Sequence, residues 1–263
     1  MNEWHPGTCE TNGIRMNYVR TGRSGTSVVL LHGLMGSGEC WTPLARAIQG
    51  EFDVVMPDAR GHGQSSAPLS GYSYDHLAGD VLGLVQGLQL TRPVLIGHSM
   101  GGMTAAVAAQ RSRNLSSLVL VDPTFISPEL QQEVWESDVV DQHRRALLLS
   151  KSDLAEEARA RHPHRSAEII EIQAEARLRT CLSALEVLTP PNPDFRSLVR
   201  ALDVPTLVVI GDSPVVSLEV AAELSQINPL VTSRQIPNTG HGLPFDQPEH
   251  LAQAIASFLR RSA

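Results

Sequence analysis

The chain has 263 residues, 42% hydrophobic and 19% charged, a balance that suits one large α/β domain with a sizeable core and excludes a disordered or fibrous protein. Its formal net charge is −7, and no dense Lys/Arg cluster offsets it, so nucleic acid is not an expected partner. The three cysteines, Cys9, Cys40 and Cys181, match neither a zinc spacing nor a disulfide framework and read as reduced structural thiols. No basic-then-apolar leader opens the sequence, and no apolar stretch approaches the ~20 residues of a membrane span, so a cytosolic protein without a membrane partner is expected.

In chain order, residues 8–20 form two short runs around Asn12-Gly13, a strong hairpin signal. Ser27-Val-Val-Leu-Leu-His-Gly33 then reads as a strand buried on both faces of a parallel sheet. Helical spacing from Trp41 to Ile48 leads to a second apolar run, Phe52 to Asp58. An amphipathic stretch from Tyr74 to Leu88 leads to a third, Pro93 to Gly97. A helical, Ala-rich segment at Met103–Gln110 precedes a fourth run, Leu118 to Pro123.

Residues 125–200 break this rhythm. Helix-forming segments at Glu129–Leu149, Asp153–Arg161 and Ala167–Leu188 end at Pro190-Pro191-Asn192-Pro193, a pattern that predicts a helical cap. The alternation resumes with a strand at Pro205–Gly211, a helix at Leu218–Gln226, a strand at Thr232–Ile236 and a helix at Glu249–Arg260. The expected fold is α/β. Residues 1–124 and 201–263 form a core with a mostly parallel sheet covered on both faces, and residues 125–200 form the cap.

The motif that carries chemistry is Gly97-His98-Ser99-Met100-Gly101, set between a buried strand and a helix. A serine on such a turn projects its hydroxyl above the sheet, and glycines clear the backbone around it. The positive end of the following helix favours negative charge developing there. Serine needs a base, and His241 in Asn238-Thr-Gly-His-Gly242 lies between the last strand and the final helix, where one is wanted. Of the other histidines, His98 points into the packing of the turn, and His32 and His62 suit structural hydrogen bonds. His143, His162 and His164 read as exposed cap residues. Two backbone N–H groups must hold the oxyanion. Met100 supplies one, and Leu34 in His32-Gly33-Leu34-Met35-Gly36 supplies the other. That turn lacks the Gly-Lys-Ser/Thr ending of a phosphate loop. The acid that orients His241 is Asp122 or Asp212, each at the end of a strand.

These features resemble the α/β-hydrolase superfamily over nearly the whole chain. They are His32-Gly33, Asp58-Ala-Arg-Gly-His-Gly-Gln-Ser65, Gly97-His-Ser-Met-Gly-Gly102 and Gly240-His241. The resemblance makes Asp58, Arg60 and His62 part of a structural turn without catalytic role. Most members carry the acid a few residues after the strand that here ends at Gly211. Aligned from its later residues, that loop places Ser213 where the acid belongs and displaces Asp212 by one. Some haloalkane dehalogenases and the zearalenone lactonases carry the acid after the earlier strand, where Asp122 stands. Asp122 is therefore favoured and Asp212 is the alternative. Serine at the elbow argues against dehalogenase or epoxide-hydrolase chemistry, which needs a carboxylate nucleophile.

The resemblance implies a serine esterase or lactonase that needs no cofactor or metal and takes a small or medium, hydrophobic ester or lactone. Leu147, Leu148, Leu178, Leu182 and Leu185 occur at helical spacing, which favours packing of the cap onto the core and leaves open an apolar roof over the site; Phe125 and Trp135 are candidates for the substrate pocket. Amide hydrolysis, carbon–carbon bond hydrolysis and perhydrolysis use the same triad and stay open. So does a slow-turnover, receptor-like binding protein.

Overall fold

Asn12 (φ 45°) and Gly13 (φ 79°) both hold left-handed backbone, as a two-residue hairpin turn requires. They join β1 (His5–Thr11) to β2 (Ile14–Arg20) as an antiparallel ribbon. The computed structural model describes residues 4–22 and 24–262, so the first three residues of the amino-terminal segment read above lie outside it. After the hairpin, β3 (Ser27–Leu31), α1 (Thr42–Ile48), β4 (Asp53–Pro57), α2 (Tyr74–Gly87), β5 (Val94–His98), α3 (Met100–Arg111) and β6 (Ser117–Val121) alternate. Five cap-region helices follow: α4 (Pro128–Glu136), α5 (Val139–Ala146), α6 (Lys151–Arg161), α7 (Ala167–Leu178) and α8 (Phe195–Ala201). The chain closes with β7 (Thr206–Ile210), α9 (Leu218–Ile227), β8 (Val231–Gln235), the short α10 (Leu243–Asp246) and α11 (Pro248–Ser262).

The eight strands form one sheet in the order β1-β2-β4-β3-β5-β6-β7-β8, parallel from β4 onward to β8. Every residue of β3 to β7 is buried, which is why these strands read as continuous apolar runs rather than as alternation. Alternate residues enter two separate cores. Val29, Leu31 and Leu95 pack under α2, α3, α8 and α9, whereas Val28, Leu30 and Ile96 pack under α1 and α11.

The strand order reverses between β3 and β5, and the crevice beyond their carboxyl ends is where an open parallel sheet accepts a ligand. Both the His32–Gly36 turn and Ser99 open onto it.

The cap region departs from its expected segmentation. The stretch 129–149 breaks at Ser137–Asp138 into α4 and α5, and the stretch 167–188 ends as an α-helix at Leu178 before a 3₁₀ turn at Leu182–Leu188. α6 and α7 bury Leu154, Ala155, Ile170 and Ala174 against one another in a small core of their own. α8, not foreseen as a helix, packs Phe195, Leu198 and Val199 onto the sheet side. Among the described residues, no helix is long and apolar enough to cross a membrane.

Candidate active site

Ser99 stands between β5 and α3 with φ 54° and ψ −119°, a backbone strain held in place by its neighbours. A Cβ at Gly97 would strike the Gly101 carbonyl, and one at Gly101 would strike the Leu31 carbonyl. These glycines are therefore conditions for the turn to close. The Oγ of Ser99 lies 3.0 Å from Nε2 of His241, and Nδ1 of His241 lies 2.6 Å from Oδ2 of Asp122. His241 reaches this point from the turn between β8 and α10.

Asp122 follows β6 with φ 39° and is fully buried. Its carboxylate also accepts the backbone N–H groups of Val215 and Val216, each at 2.9 Å. With the carboxylate as acceptor, Nδ1–H of His241 donates, which leaves the Nε2 lone pair facing the Ser99 hydroxyl. Asp212 lies elsewhere. Its oxygens accept Nε2–H of Gln235 at 2.8 Å and the Asn238 N–H at 2.6 Å, tying the loop after β7 to the loop after β8.

The N–H of Met100 opens α3, a position with no acceptor inside the helix, and that of Leu34 has no hydrogen-bond acceptor among the described residues. The turn carrying Leu34 is fixed by His32, whose Nδ1–H donates to the Gly33 carbonyl while Nε2 accepts the Ala59 N–H. At Gly33, a Cβ would come within 3.2 Å of the Ser99 Cβ, so glycine keeps this turn close to the serine.

Asp58 accepts the N–H groups of Gly38 and Gln64, and Arg60 forms a buried ion pair with Asp80. His62 is buried with Nδ1–H on the Arg60 carbonyl. All three hold the turn from 58 to 65 in place.

His98 has a larger part than sequence reasoning assigned. Its Nε2–H donates to the His241 carbonyl at 2.8 Å, and the two rings lie 4.8 Å apart. Burial, and after it the neighbouring His241, push its pKa down to about 3, so it stays a neutral donor that positions the His241 backbone. No signal in the sequence distinguished that role from packing.

The cleft above Ser99 measures about 340 Å³. Its floor is Gly33, Leu34, Trp41, Ser99 and His241, and its roof comes from α6 and α7. That roof is not the apolar one left open for the cap leucines. Leu154, Ala158 and Arg161 line the cleft from one face of α6, followed by His162 and Arg165, and Gln173, Ala174 and Arg177 line it from α7. Leu148 is instead 84% exposed and Leu182 only partly covered, and neither they nor Leu147, Leu178 and Leu185 line the cleft. Phe125 stacks on Phe195 in the sheet core, and Trp135 is exposed on α4.

His143 also departs from its expected exposure. It is fully buried because Nε2–H finds the Thr180 carbonyl at the end of α7. His162 is half-buried, with its pKa lowered by burial and by Arg165, while His164 is exposed and paired with Asp246.

Cys40, at the edge of the cleft, is a free thiol whose pKa burial raises to about 11, too high for a nucleophile near neutrality. Among the described residues, no cluster of three or more His, Cys, Asp or Glu is arranged to hold a metal ion.

Comparison with known proteins agrees with this architecture. The family model described as alpha/beta hydrolase fold matches residues 26–162. The chain is 30% identical over 262 residues to an N-formylmaleamate deformylase of Pseudomonas putida, covering 96% of each. It is 27% identical over 260 residues to a 2-(acetamidomethylene)succinate hydrolase of Mesorhizobium japonicum, covering 92% of this chain and 90% of that one. A solved structure of an N-formylmaleamic acid deformylase from Pseudomonas putida S16 superimposes with a TM-score of 0.82 at 25% identity, over 95% of this chain and 100% of that one. The chain belongs to the α/β-hydrolase family. Hydrolysis is its reaction class.

Proposed function

We propose that this chain is a serine hydrolase that cleaves a carboxylic ester or lactone through an acyl-enzyme. The observation that carries this reading is the unbroken hydrogen-bonded relay from Asp122 through His241 to Ser99, with the unpaired N–H of Leu34 at the same cleft and that of Met100 directly after Ser99 at the start of α3. His241 Nε2 takes the Ser99 proton as Oγ attacks the carbonyl carbon. The charge that moves to the carbonyl oxygen is held by the N–H groups of Leu34 and Met100. Asp122 steadies the imidazolium, which then protonates the leaving oxygen as the acyl bond breaks. Water, deprotonated by His241, attacks the acyl-enzyme, and the acid product leaves as Ser99 regains its proton.

A second reading, amide hydrolysis, is favoured by the names of two relatives, a deformylase of N-formylmaleamate and a hydrolase of 2-(acetamidomethylene)succinate. The chemistry is the same until His241 protonates a leaving nitrogen instead of an oxygen.

The test is the intact mass of the protein after a fluorophosphonate probe, with Ser99→Ala alongside. One adduct on the native chain and none on the variant supports an activated Ser99. A folded native protein that takes no adduct sinks the proposal and favours a binding protein. Matched aryl ester and aryl amide substrates then decide between the two readings.

A further inference from the structure

The protein carries a net charge of −7, yet its catalytic cleft is lined by three arginines and by no aspartate or glutamate among the described residues. Two of the three have acidic partners set back from the cleft. Arg161 pairs with Glu157 at 3.0 Å, and Arg165 is held by Asp246 at 2.6 Å and by Gln173. Arg177 has none. Its guanidinium makes no hydrogen bond or salt bridge among the described residues, and its Nε–H is sealed from solvent without an acceptor; Glu157, already paired with Arg161, acts on it only through space.

Arg177 stands one helical turn from Ala174 on the lining face of α7, in the roof, while Ser99 is in the floor at the end of β5. Folding has thus placed a partly desolvated guanidinium without an ion-pair partner across a small cleft from the nucleophile. Desolvation, and after it the charge of Arg161, lower the pKa of Arg177, and Glu157 opposes them only in part.

We infer that Arg177 is a specificity residue that anchors a substrate carboxylate, so that the substrates are half-esters or half-amides of short dicarboxylic acids. The planar fork of a guanidinium matches a carboxylate through two parallel N–H···O bonds. Roof and floor then hold the two ends of one small molecule, the free carboxylate on Arg177 and the scissile carbonyl at Ser99. The identity of the bond cleaved rests on the serine-hydrolase reading, whereas the anion anchor does not.

Binding tests the anchor without turnover. Glutarate is titrated calorimetrically into the wild-type protein, Arg177→Gln and Arg177→Lys, with dimethyl glutarate and inorganic phosphate as comparison ligands. The expected result is glutarate binding that weakens about tenfold or more in Arg177→Gln, with part retained in Arg177→Lys and no binding of the dimethyl ester. Equal binding of glutarate to wild type and Arg177→Gln overturns the proposal, as does no binding at all. Phosphate binding more tightly than glutarate overturns the carboxylate assignment.

In turnover, the preference for mono-p-nitrophenyl succinate over p-nitrophenyl butyrate is expected to collapse in Arg177→Gln, chiefly through KM. Both substrates slowed by one factor would mark Arg177 as merely structural. Glutarate binding without fluorophosphonate labelling of Ser99 would leave the anchor standing and remove the serine-hydrolase reading instead.

Discussion

The Asp122 carboxylate lies 2.6 Å from Nδ1 of His241, so the acid that meets the histidine stands after β6 and not after β7. The loop after β7 contributes only backbone to this contact, the N–H groups of Val215 and Val216. Asp122→Asn is expected to lower kcat by about 10³–10⁴-fold, because an amide in this place no longer selects the required tautomer of His241. Asp212→Asn, which touches Gln235 and Asn238, is expected to stay within about threefold of wild type. Steady-state kinetics of the two variants on one aryl ester makes the comparison, and a larger loss at Asp212 would reverse the assignment.

The strain at Ser99 leads to a second expectation. Ser99→Ala removes the hydroxyl but keeps a Cβ at φ 54°, whereas Ser99→Gly removes the steric conflict as well. Both variants are expected to lose activity by several orders of magnitude. Ser99→Gly is expected to be about 1 kcal/mol more stable than Ser99→Ala in urea denaturation, the relief of strain outweighing the greater freedom of glycine in the unfolded chain. An equal or lower midpoint for the glycine variant would mean that the elbow is not strained.

Remote from the chemistry, Arg60 and Asp80 form an ion pair with side chains 3% and 1% exposed. Arg60 also donates to the Gly71 carbonyl, so the pair ties the turn at 58–65 to α2. Arg60→Met leaves a buried carboxylate without its partner and is expected to cost about 3–5 kcal/mol of stability. Thermal or urea unfolding reads this directly. A loss under about 1 kcal/mol would show that the pair is replaceable.

Acid should weaken the fold at a pH where carboxylates are still charged. His62 and His98 are buried as neutral rings, and burial, with neighbouring histidines, pushes both pKa values down to about 3. The unfolded chain binds these protons near pH 6.5 and the folded chain does not, so the stabilisation is present above pH 6.5 and drains away as pH falls. For the pair this amounts to about 3 kcal/mol between pH 6.5 and 5. Unfolding free energies measured across that interval check it, and His62→Leu should flatten the slope. A flat profile for the native protein would contradict neutral burial.

The parallel strands were legible because a strand covered on both faces has one simple signature, an unbroken apolar run closed by glycine or proline. The turn around Ser99 was legible for a related reason. Its glycines are dictated by backbone collisions with the Gly101 and Leu31 carbonyls, and such collisions leave a mark at the same positions of the chain. The acid was harder to read, since Asp122 and Asp212 both follow strands and only tertiary packing shows which one meets a histidine more than a hundred positions away. The roof of the cleft was misread for a different cause. The face of α6 that looks inward mixes Leu154 and Ala158 with Arg161, so hydrophobic periodicity pointed to leucines that lie elsewhere. His143 escaped notice because its burial depends on one carbonyl, that of Thr180, supplied from the far end of another helix.

Because Asp122 takes two of its hydrogen bonds from main-chain N–H groups, the segment from Ser213 to Val216 is constrained in shape far more than in spelling. Val216 also plugs the core, but Val215 can be exchanged for any residue other than proline without withdrawing a donor from the acid. The rim beside the active centre is therefore a natural place to graft new sequence, since the reaction machinery depends there on the path of the chain and not on the side chain it displays.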